Sequence, residues 1–445
     1  MKRSPRPRPR GALRRAMLRM GHDLDHWLIP PMRWVMTPRR LRRIRDLPGP
    51  SLIRPLKVSP PWAVPPAGLS AGPLPELATV PGIRRDDDAE TKAFAERPLH
   101  DWFKTHPEAV RWMAPHYWRS FLPVSRRLLR ARRAIHHTQR HNPQNPPNPS
   151  PASQSAGTDP AQLTSRLKEE ARRLGISAVG VAPYDPRFTF AEYAGRNAGD
   201  RMIVCVLEQP WAATQELPFA GTEQAALRTY AALLERMVHL ASWLQAQGFQ
   251  ARAEDYEGES IYIHYGVQAG LGQLGLNGQL LTPQAGSRCR LAGITTDAPL
   301  VFDSPKDYGL EGICDRCQVC VRRCPVGAIP AIRREHRGVT KAKLNTKRCF
   351  PIVTQVAGCA ICMKVCPVQK FGLAAVLTEY QASGQILGKD TDELEGYDWP
   401  VDGKHYPPGR RPRIAETLIA PAELTFDPTR LAPPQEPVGL RAGHG

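Results

Sequence analysis

The sequence predicts an α/β protein: a layered core joined to a small cysteine-bound module. Three observations carry that reading. From Asp159 onward, helix-like and strand-like segments alternate, each bounded by its own capping or breaking residue. Eight of the ten cysteines fall between Cys314 and Cys366. The first 140 residues carry no such alternation and are rich in arginine, proline and tryptophan.

Composition narrows the classes. A chain of 445 residues predicts two or three domains at roughly 150 residues each. The apolar share of 41% and charged share of 23% are globular values, which excludes a wholly disordered chain. The net charge of +19 favours an acidic partner, either nucleic acid or an anionic membrane surface, without naming a reaction. Crowded cysteines exclude a disulfide scaffold, which spreads its bridges through a short secreted chain. After Arg14 and Arg15 the chain runs AMLRMGHDLDHW, too often charged for a signal peptide, so the arginine pair is a weak twin-arginine candidate. No apolar run approaches the roughly 18 residues of a membrane span. The expected compartment is the reducing cytoplasm, with peripheral membrane contact as an option for the basic arm.

Taken in order, residues 1–140 form a basic extension. MKRSPRPRPR cannot hold a helix, and 47–75 reads as extended polyproline-like chain. Between 88 and 137 the pattern is helical but cut by prolines, so the extension is partly helical. Trp102, Trp112, Trp118, Phe121 and Leu122 make an apolar face there beside arginine-rich turns. Such a face docks on a partner protein or an anionic membrane, or packs on the main domain while the arginines stay solvated; the second reading is the simpler. Residues 141–160 are a linker of turn formers. The core, 161–305, opens with Asp159 as N-cap and Pro160 at the first helical position, and Gly175 ends that helix. Strands follow at 176–184 and 202–209. Thr222 caps a long helix, on which Leu227, Tyr230, Leu234, Met237, Ala241 and Leu244 recur at helical spacing, and Gly248 ends it. A further strand covers 249–255. This alternation predicts some parallel strand pairing.

The module, 306–375, holds the strongest motif. Cys314-x2-Cys317-x2-Cys320-x3-Cys324-Pro325 is followed by Cys349 and by Cys359-x2-Cys362-x3-Cys366-Pro367. The first run is the bacterial ferredoxin spacing for a [4Fe–4S] cluster, in which the fourth cysteine serves the other cluster. One cubane then takes Cys314, Cys317, Cys320 and Cys366, and the second takes Cys324, Cys349, Cys359 and Cys362. Cys349 is the least regular of the eight in spacing. All-cysteine zinc sites also use CxxC pairs, but not this double run. Cys205 lies in an apolar strand and reads as structural. Cys289, between Arg288 and Arg290, has the setting for a lowered thiol pKa, though a structural role is favoured. Two adjacent cubanes form an electron wire and need something to feed.

Upstream, Gly266, Gly270, Gly272, Gly275 and Gly278 crowd one stretch, suggesting backbone pressed against a large ligand or a set of tight turns. The GxGxxG portion lacks the preceding strand and acidic partner of a nucleotide fold. Residues 376–445 read as an irregular tail with a Tyr/Gly/Pro-rich patch, GYDWPVDGKHYPPGRRPRI, fit to cap the core or meet a partner.

AGLGQLGLNGQLLTPQAGSRCRLAGITTDAPL followed by both cysteine runs resembles the corrinoid iron–sulfur reductases, namely reductive dehalogenases and epoxyqueuosine reductases, over residues 160–375. The resemblance implies a nitroreductase-like α/β core holding base-off cobalamin, followed by a ferredoxin-like module of two [4Fe–4S] clusters, with the Pro/Arg-rich, partly helical extension in front. It implies that cobalt performs a reductive step on a small electrophile, such as an organohalide, while a side chain supplies a proton. Gly270, Gly272, Gly275, Asn277 and Gly278 become the cofactor-binding candidates. The chain resembles the dehalogenase side, because Gln273 and Leu276 stand where epoxyqueuosine reductases usually carry Trp and Lys. Tyr256 matches the position of their catalytic aspartate, beside Asp255. Dehalogenases resemble each other in a tyrosine donor, so Tyr256 leads, with Tyr262 and Tyr265 behind and Arg290 to stabilise the anion or phenolate. Arg288 is a second such arginine, or one of a salt bridge. His264 reads as a core histidine. The implied partners are a low-potential electron donor (ferredoxin, flavodoxin or a reductase) and a small-molecule substrate. Two other classes compete: a ferredoxin-like electron carrier without corrinoid, and a tRNA-modifying reductase, although nucleic acid is disfavoured as a partner.

Overall fold

The structure is a computed structural model, and it describes residues 121–141, 159–190, 193, 195–256, 259–336, 339–356 and 358–414. The expectations for Trp102, Trp112, Trp118, the polyproline-like stretch and the linker interior lie outside the described residues.

Helix α1 (Leu122–His141) precedes α2 (Pro160–Arg173). Asp159 caps α2 as expected, its carboxylate accepting from the Ala161 N–H with Pro160 at the first position, and Gly175 follows the helix at φ +74°. Strand β1 (Ala178–Pro183), β2 (Arg201–Glu208), the short helix α3 (Trp211–Gln215), the 26-residue α4 (Ala220–Gln245) and β3 (Ala251–Ala253) come next. Then come α5 (Tyr262–Gln268), the two-residue strands β4 (Gln273–Leu274) and β5 (Leu280–Leu281), and β6 (Cys289–Thr296). Thr222 is not the cap of α4. That position belongs to Phe219, and the Thr222 hydroxyl instead donates to the Ala213 carbonyl, tying α4 to α3.

The main sheet has the order β1-β2-β6-β3, and every pairing in it is antiparallel. The expected parallel pairing is therefore corrected. Strands β2 and β3 do run in the same direction around α4, since both oppose β6, but β6 inserts between them from later in the chain. Local alternation gives strand direction; a non-local insertion decides the neighbour.

Side chains alternate across the sheet. Ile203, Cys205, Ala292 and Ile294 face one core with Leu163, Leu167, Leu234 and Met237 of α2 and α4. Phe121, Leu128 and Ile135 join that core, so the part of the extension that is described packs on the main domain. On the opposite face Met202 and Val204 meet Tyr262 and Tyr265 of α5. Gly180, Val204 and Gly293 form one cross-strand row beneath α5. A Cβ at Gly180 would sit 2.7 Å from that of Ala269, and one at Gly293 2.8 Å from the Tyr262 ring. Those two glycines let α5 lie flat on the sheet.

The module consists of short pieces: α6 (Leu310–Cys317), α7 (Val319–Arg323), the hairpin β7 (Arg334–His336) and β8 (Val339–Lys341), α8 (Thr346–Gln355), α9 (Ile361–Lys364) and α10 (Pro367–Phe371). The expected irregular tail is regular as far as Tyr406: α11 (Leu373–Ser383), α12 (Asp392–Glu395) and the hairpin β9 (Tyr397–Trp399) and β10 (Lys404–Tyr406). Tyr397 and Trp399 are buried among the module's apolar residues, which supply the hydrophobic partner that the tail's composition lacks on its own. Arg323 fastens this cap, donating to the carbonyls of Glu395, Tyr406 and Pro407. No described helix is long and apolar enough to cross a membrane.

Candidate functional site

Two sites emerge, one of sulfur and one of phenol and guanidinium. The cysteine runs fold back so that Cys314, Cys317, Cys320 and Cys366 line one cavity, with Leu276, Ile313 and Val368 among its apolar walls. None of the other four cysteines lines it. Cys366 thus comes to the first run from the end of the second, as the crossed assignment requires. The remaining set also keeps together: the Cys349 thiol feels the charges of Cys359, Cys362 and Cys324.

Local geometry explains how short helices aim so many thiols inward. Gln318 and Ala360, both left-handed at φ 47° and 51°, reverse the chain between cysteines. Backbone N–H groups then point at sulfur. Ala328 donates to the Cys324 Sγ at 3.2 Å, Leu276 to Cys314, Val319 to Cys317, and Gln369 and Val368 to Cys366. Burial pushes the Cys359 and Cys366 thiols up to about 12, and raises Cys314, Cys317, Cys320, Cys349 and Cys362 as well. Thiols so costly to ionise, yet met by N–H donors, suit thiolates whose charge iron balances.

The two cysteines outside the runs are different. Cys205 and Cys289 are buried in β2 and β6, and burial pushes each up to about 12. Arg288 and Arg290 offset only part of that at Cys289, so the structural role stands. Arg288 is spent on a buried ion pair with Glu208 and on the Gln209 carbonyl. His264 is buried, stacked on Phe188 at 4.8 Å.

The second site lies where α4, β6 and the end of β3 meet. The Arg290 guanidinium sits over the Tyr230 ring at 5.3 Å from its centroid, and Tyr256 packs against the same ring at 5.1 Å. Burial pushes the Tyr230 phenol up while Arg290 pulls it back. Glu223, about two turns earlier on α4, is itself pushed up by burial and partly offset by Arg290. Tyr256 and Arg290, both sequence candidates, are therefore gathered around Tyr230. Sequence reasoning missed Tyr230 because its helical spacing is that of a core residue. Its separation from Leu227 and Leu234 carries no sign of the arginine above it.

The other tyrosines are engaged elsewhere. Tyr265 donates to the Asp185 carbonyl at 2.8 Å and accepts from its N–H at 3.0 Å, both hydroxyl functions being used in packing α5. Tyr262 donates to Glu254 at 2.8 Å. Glu254 is buried beside Glu259, and burial followed by that repulsion raises it to about 7. Arg252 pairs with Glu259 at 2.7 Å. From α1, Arg132 pairs with Asp255 at 2.5 Å and covers the Tyr256 ring at 5.5 Å, so the extension helix holds the Tyr256 loop.

Four of the five crowded glycines press against protein. A Cβ at Gly266 would strike Leu280, one at Gly275 would lie 2.7 Å from the Asn277 Oδ1, and Gly270 and Gly272 abut the Ser304 and Leu281 carbonyls. Gly278 takes φ +73° in the turn between β4 and β5. Asn277 turns its carboxamide oxygen to the Gln279 N–H and lines the first-run cavity.

Residues 313–370 match the family model of a 4Fe–4S dicluster domain. The chain is 26% identical over 305 residues to the tetrachloroethene reductive dehalogenase of Dehalobacter restrictus, covering 54% of this chain and 55% of that protein. It is 28% identical over 258 residues to that of Sulfurospirillum multivorans (48% and 51%). An epoxyqueuosine reductase of Synechococcus sp. is 26% identical over 245 residues (47% and 76%). The chain thus spans about half the length of the curated dehalogenases it matches. Among solved structures, the catabolic reductive dehalogenase NpRdhA in complex with 3-bromo-4-hydroxybenzoic acid superposes with a TM-score of 0.54 at 21% identity, covering 80% of this chain and 57% of that one. The mixed α/β fold with a ferredoxin-like dicluster module is the fold of that protein.

Proposed function

We propose that the chain is a corrinoid-dependent iron–sulfur reductase of the dehalogenase type, passing single electrons through two [4Fe–4S] clusters to reduce a small electrophile. Cys314, Cys317, Cys320 and Cys366 hold one cluster, and Cys324, Cys349, Cys359 and Cys362 the other. The observation that carries the reading is the meeting of sulfur loop and phenol site. A Cβ at Gly358, next to Cys359, would lie 2.7 Å from the Glu223 carboxylate, and Glu223 shares the field of Arg290. The cluster of Cys324, Cys349, Cys359 and Cys362 is thus the one beside the reaction site. The other lies along α6, and its Cys366 accepts from Gln369 of the core–module seam.

The seam between core and module carries buried polar groups that the amides of a macrocycle would satisfy. Both side-chain amide atoms of Gln209, the Ser287 Oγ, the Gln215 Oε1 and the Arg290 Nε are buried there without a hydrogen-bond partner among the described residues. Gln215 also reaches Gln369 of the module at 3.0 Å, so these groups frame one seam. A bound corrinoid would supply two-electron chemistry from one-electron deliveries, and its carboxamides would satisfy those groups. Gly270, Gly272, Gly275 and Gly278 shape the adjoining turns. The core is read as nitroreductase-like on the strength of its three layers.

The overall balance is R–X plus two electrons plus one proton giving R–H and X⁻. Tyr230 supplies the proton: burial keeps its phenol protonated at neutral pH, and Arg290 lies ready to hold the phenolate. Tyr256 fixes the Tyr230 ring, while Tyr262 and Tyr265 hold α5 on the opposite face of the sheet. A cytoplasmic location and a low-potential donor complete the reading.

The test is anaerobic purification with corrinoid reconstitution, then turnover of 3-bromo-4-hydroxybenzoate, tetrachloroethene or epoxyqueuosine-containing tRNA. Halide release from either organohalide is expected. Turnover of the tRNA alone would replace the reading with a tRNA-modifying one; clusters without corrinoid would leave only an electron carrier.

A further inference from the structure

We infer that the exposed edge formed by the β7 strand and the turn before it, alongside α6, is the docking face for an acidic one-electron carrier protein. The inference rests on the proposed relay, because it names the face through which electrons enter.

Charge is the first argument. Residues 313–370 contain twelve Lys and Arg against only two Asp and Glu. Several of these cations are consumed internally: Arg322 by Asp390 and Glu395, Arg333 by Asp315 and Glu311, Lys370 by Glu393. Arg334 and Lys343 are exposed and, among the described residues, have no carboxylate partner. Arg316 is exposed too, lying over the Tyr380 ring at 5.8 Å.

Placement is the second. The Arg333–Asp315 ion pair and a hydrogen bond from Gln318 to the Ala331 carbonyl lay residues 331–333 along α6, the helix that carries Cys314 and Cys317. The face therefore flanks the cluster of Cys314, Cys317, Cys320 and Cys366. Ile332 is the third argument. It stands 54% exposed amid these cations, one of four large apolar side chains so exposed among the described residues. An apolar contact ringed by unpaired positive charge is the complement of an acidic protein surface. A phosphate backbone would have no use for Ile332 and would gain nothing from proximity to a cluster.

The experiment uses stopped-flow absorbance on anaerobic holoprotein, following cluster bleaching by reduced flavodoxin and, separately, by the small methyl viologen radical. With flavodoxin, the second-order rate should fall with added salt and drop about tenfold in R334E/K343E, as charge-steered association does. Ile332→Ser should slow it without changing the salt slope, and viologen should reduce all variants no more slowly than wild type. Equal flavodoxin rates in wild type and both variants would overturn the inference. So would loss of tRNA stem-loop binding in R334E/K343E with the flavodoxin rate intact, which would assign the face to RNA. Cluster bleaching is independent of halide release, so a wrong substrate assignment would leave this readout standing.

Discussion

The α/β core and the dicluster module use the same residue to opposite ends. In the core, Cys205 and Cys289 are inert fillers of a sheet whose two faces are covered by helices, and the fold stands on aliphatic burial. In the module, eight cysteines sit on or beside helices as short as four residues, reversed by left-handed Gln318 and Ala360. Such pieces do not hold themselves together in water. The core would fold around its apolar stripe; the module folds around what its thiolates bind. Burial raises thiols in both regions, but only in the module do backbone N–H groups converge on the sulfurs of a shared cavity.

The largest effect should come from removing iron. Chelation under oxidising conditions is expected to open residues 306–375 to proteolysis while the core stays resistant, because ligation free energy is folding free energy for such modules. Simultaneous loss of both regions in a proteolysis time course would erase the contrast drawn here.

Next in size is Tyr230→Phe, expected to lower turnover by about 10²–10⁴-fold, the usual worth of a positioned proton donor, with both clusters retained. Tyr256→Phe should cost less, since its ring supports Tyr230 without lying under Arg290. Steady-state rates on matched cluster contents decide it, and the reverse ranking would return the donor role to Tyr256.

Arg132→Ala should destabilise the core by about 3 kcal/mol, leaving buried Asp255 only His136 at 3.8 Å and the Tyr256 N–H. The denaturant midpoint should shift for the core alone, with cluster content unchanged.

A smaller effect concerns pH. Glu254, raised by burial and by Glu259 to about 7 against an ordinary 4.5, binds its proton more tightly when folded. The stability it contributes is full below the ordinary value and is lost as pH rises towards 7. Glu254→Gln should flatten that slope, read from denaturant midpoints between pH 4.5 and 7; the Arg252, Ser260 and Tyr262 contacts remain. Smallest of all, Cys205→Ala and Cys289→Ala should leave iron content untouched.

Local and covalent-spacing signals were the legible ones. The Asp159–Pro160 start of α2, the glycine stops, the strand positions and the crossed placement of Cys366 all follow from neighbours in sequence or from a spacing that only one chemistry uses. What stayed hidden depends on distant chain. β6 enters between β2 and β3 and cancels their parallel pairing. Thr222 finds a carbonyl on α3 in place of a capping role. Tyr230 gains its place from an arginine 60 positions later, and the tail orders because Arg323 gathers its carbonyls. The glycine stretch reads as a ligand cradle in sequence, yet its close approaches are to Leu280, Leu281 and Ser304.

The central claim is that eight cysteines carry two cubanes beside a corrinoid site. Metal analysis of the anaerobically isolated, corrinoid-reconstituted chain tests it most directly. The account predicts about eight iron atoms and one cobalt per chain, with about four iron atoms lost together in Cys366→Ser. Zinc in place of iron, or iron with no cobalt retained, would contradict it.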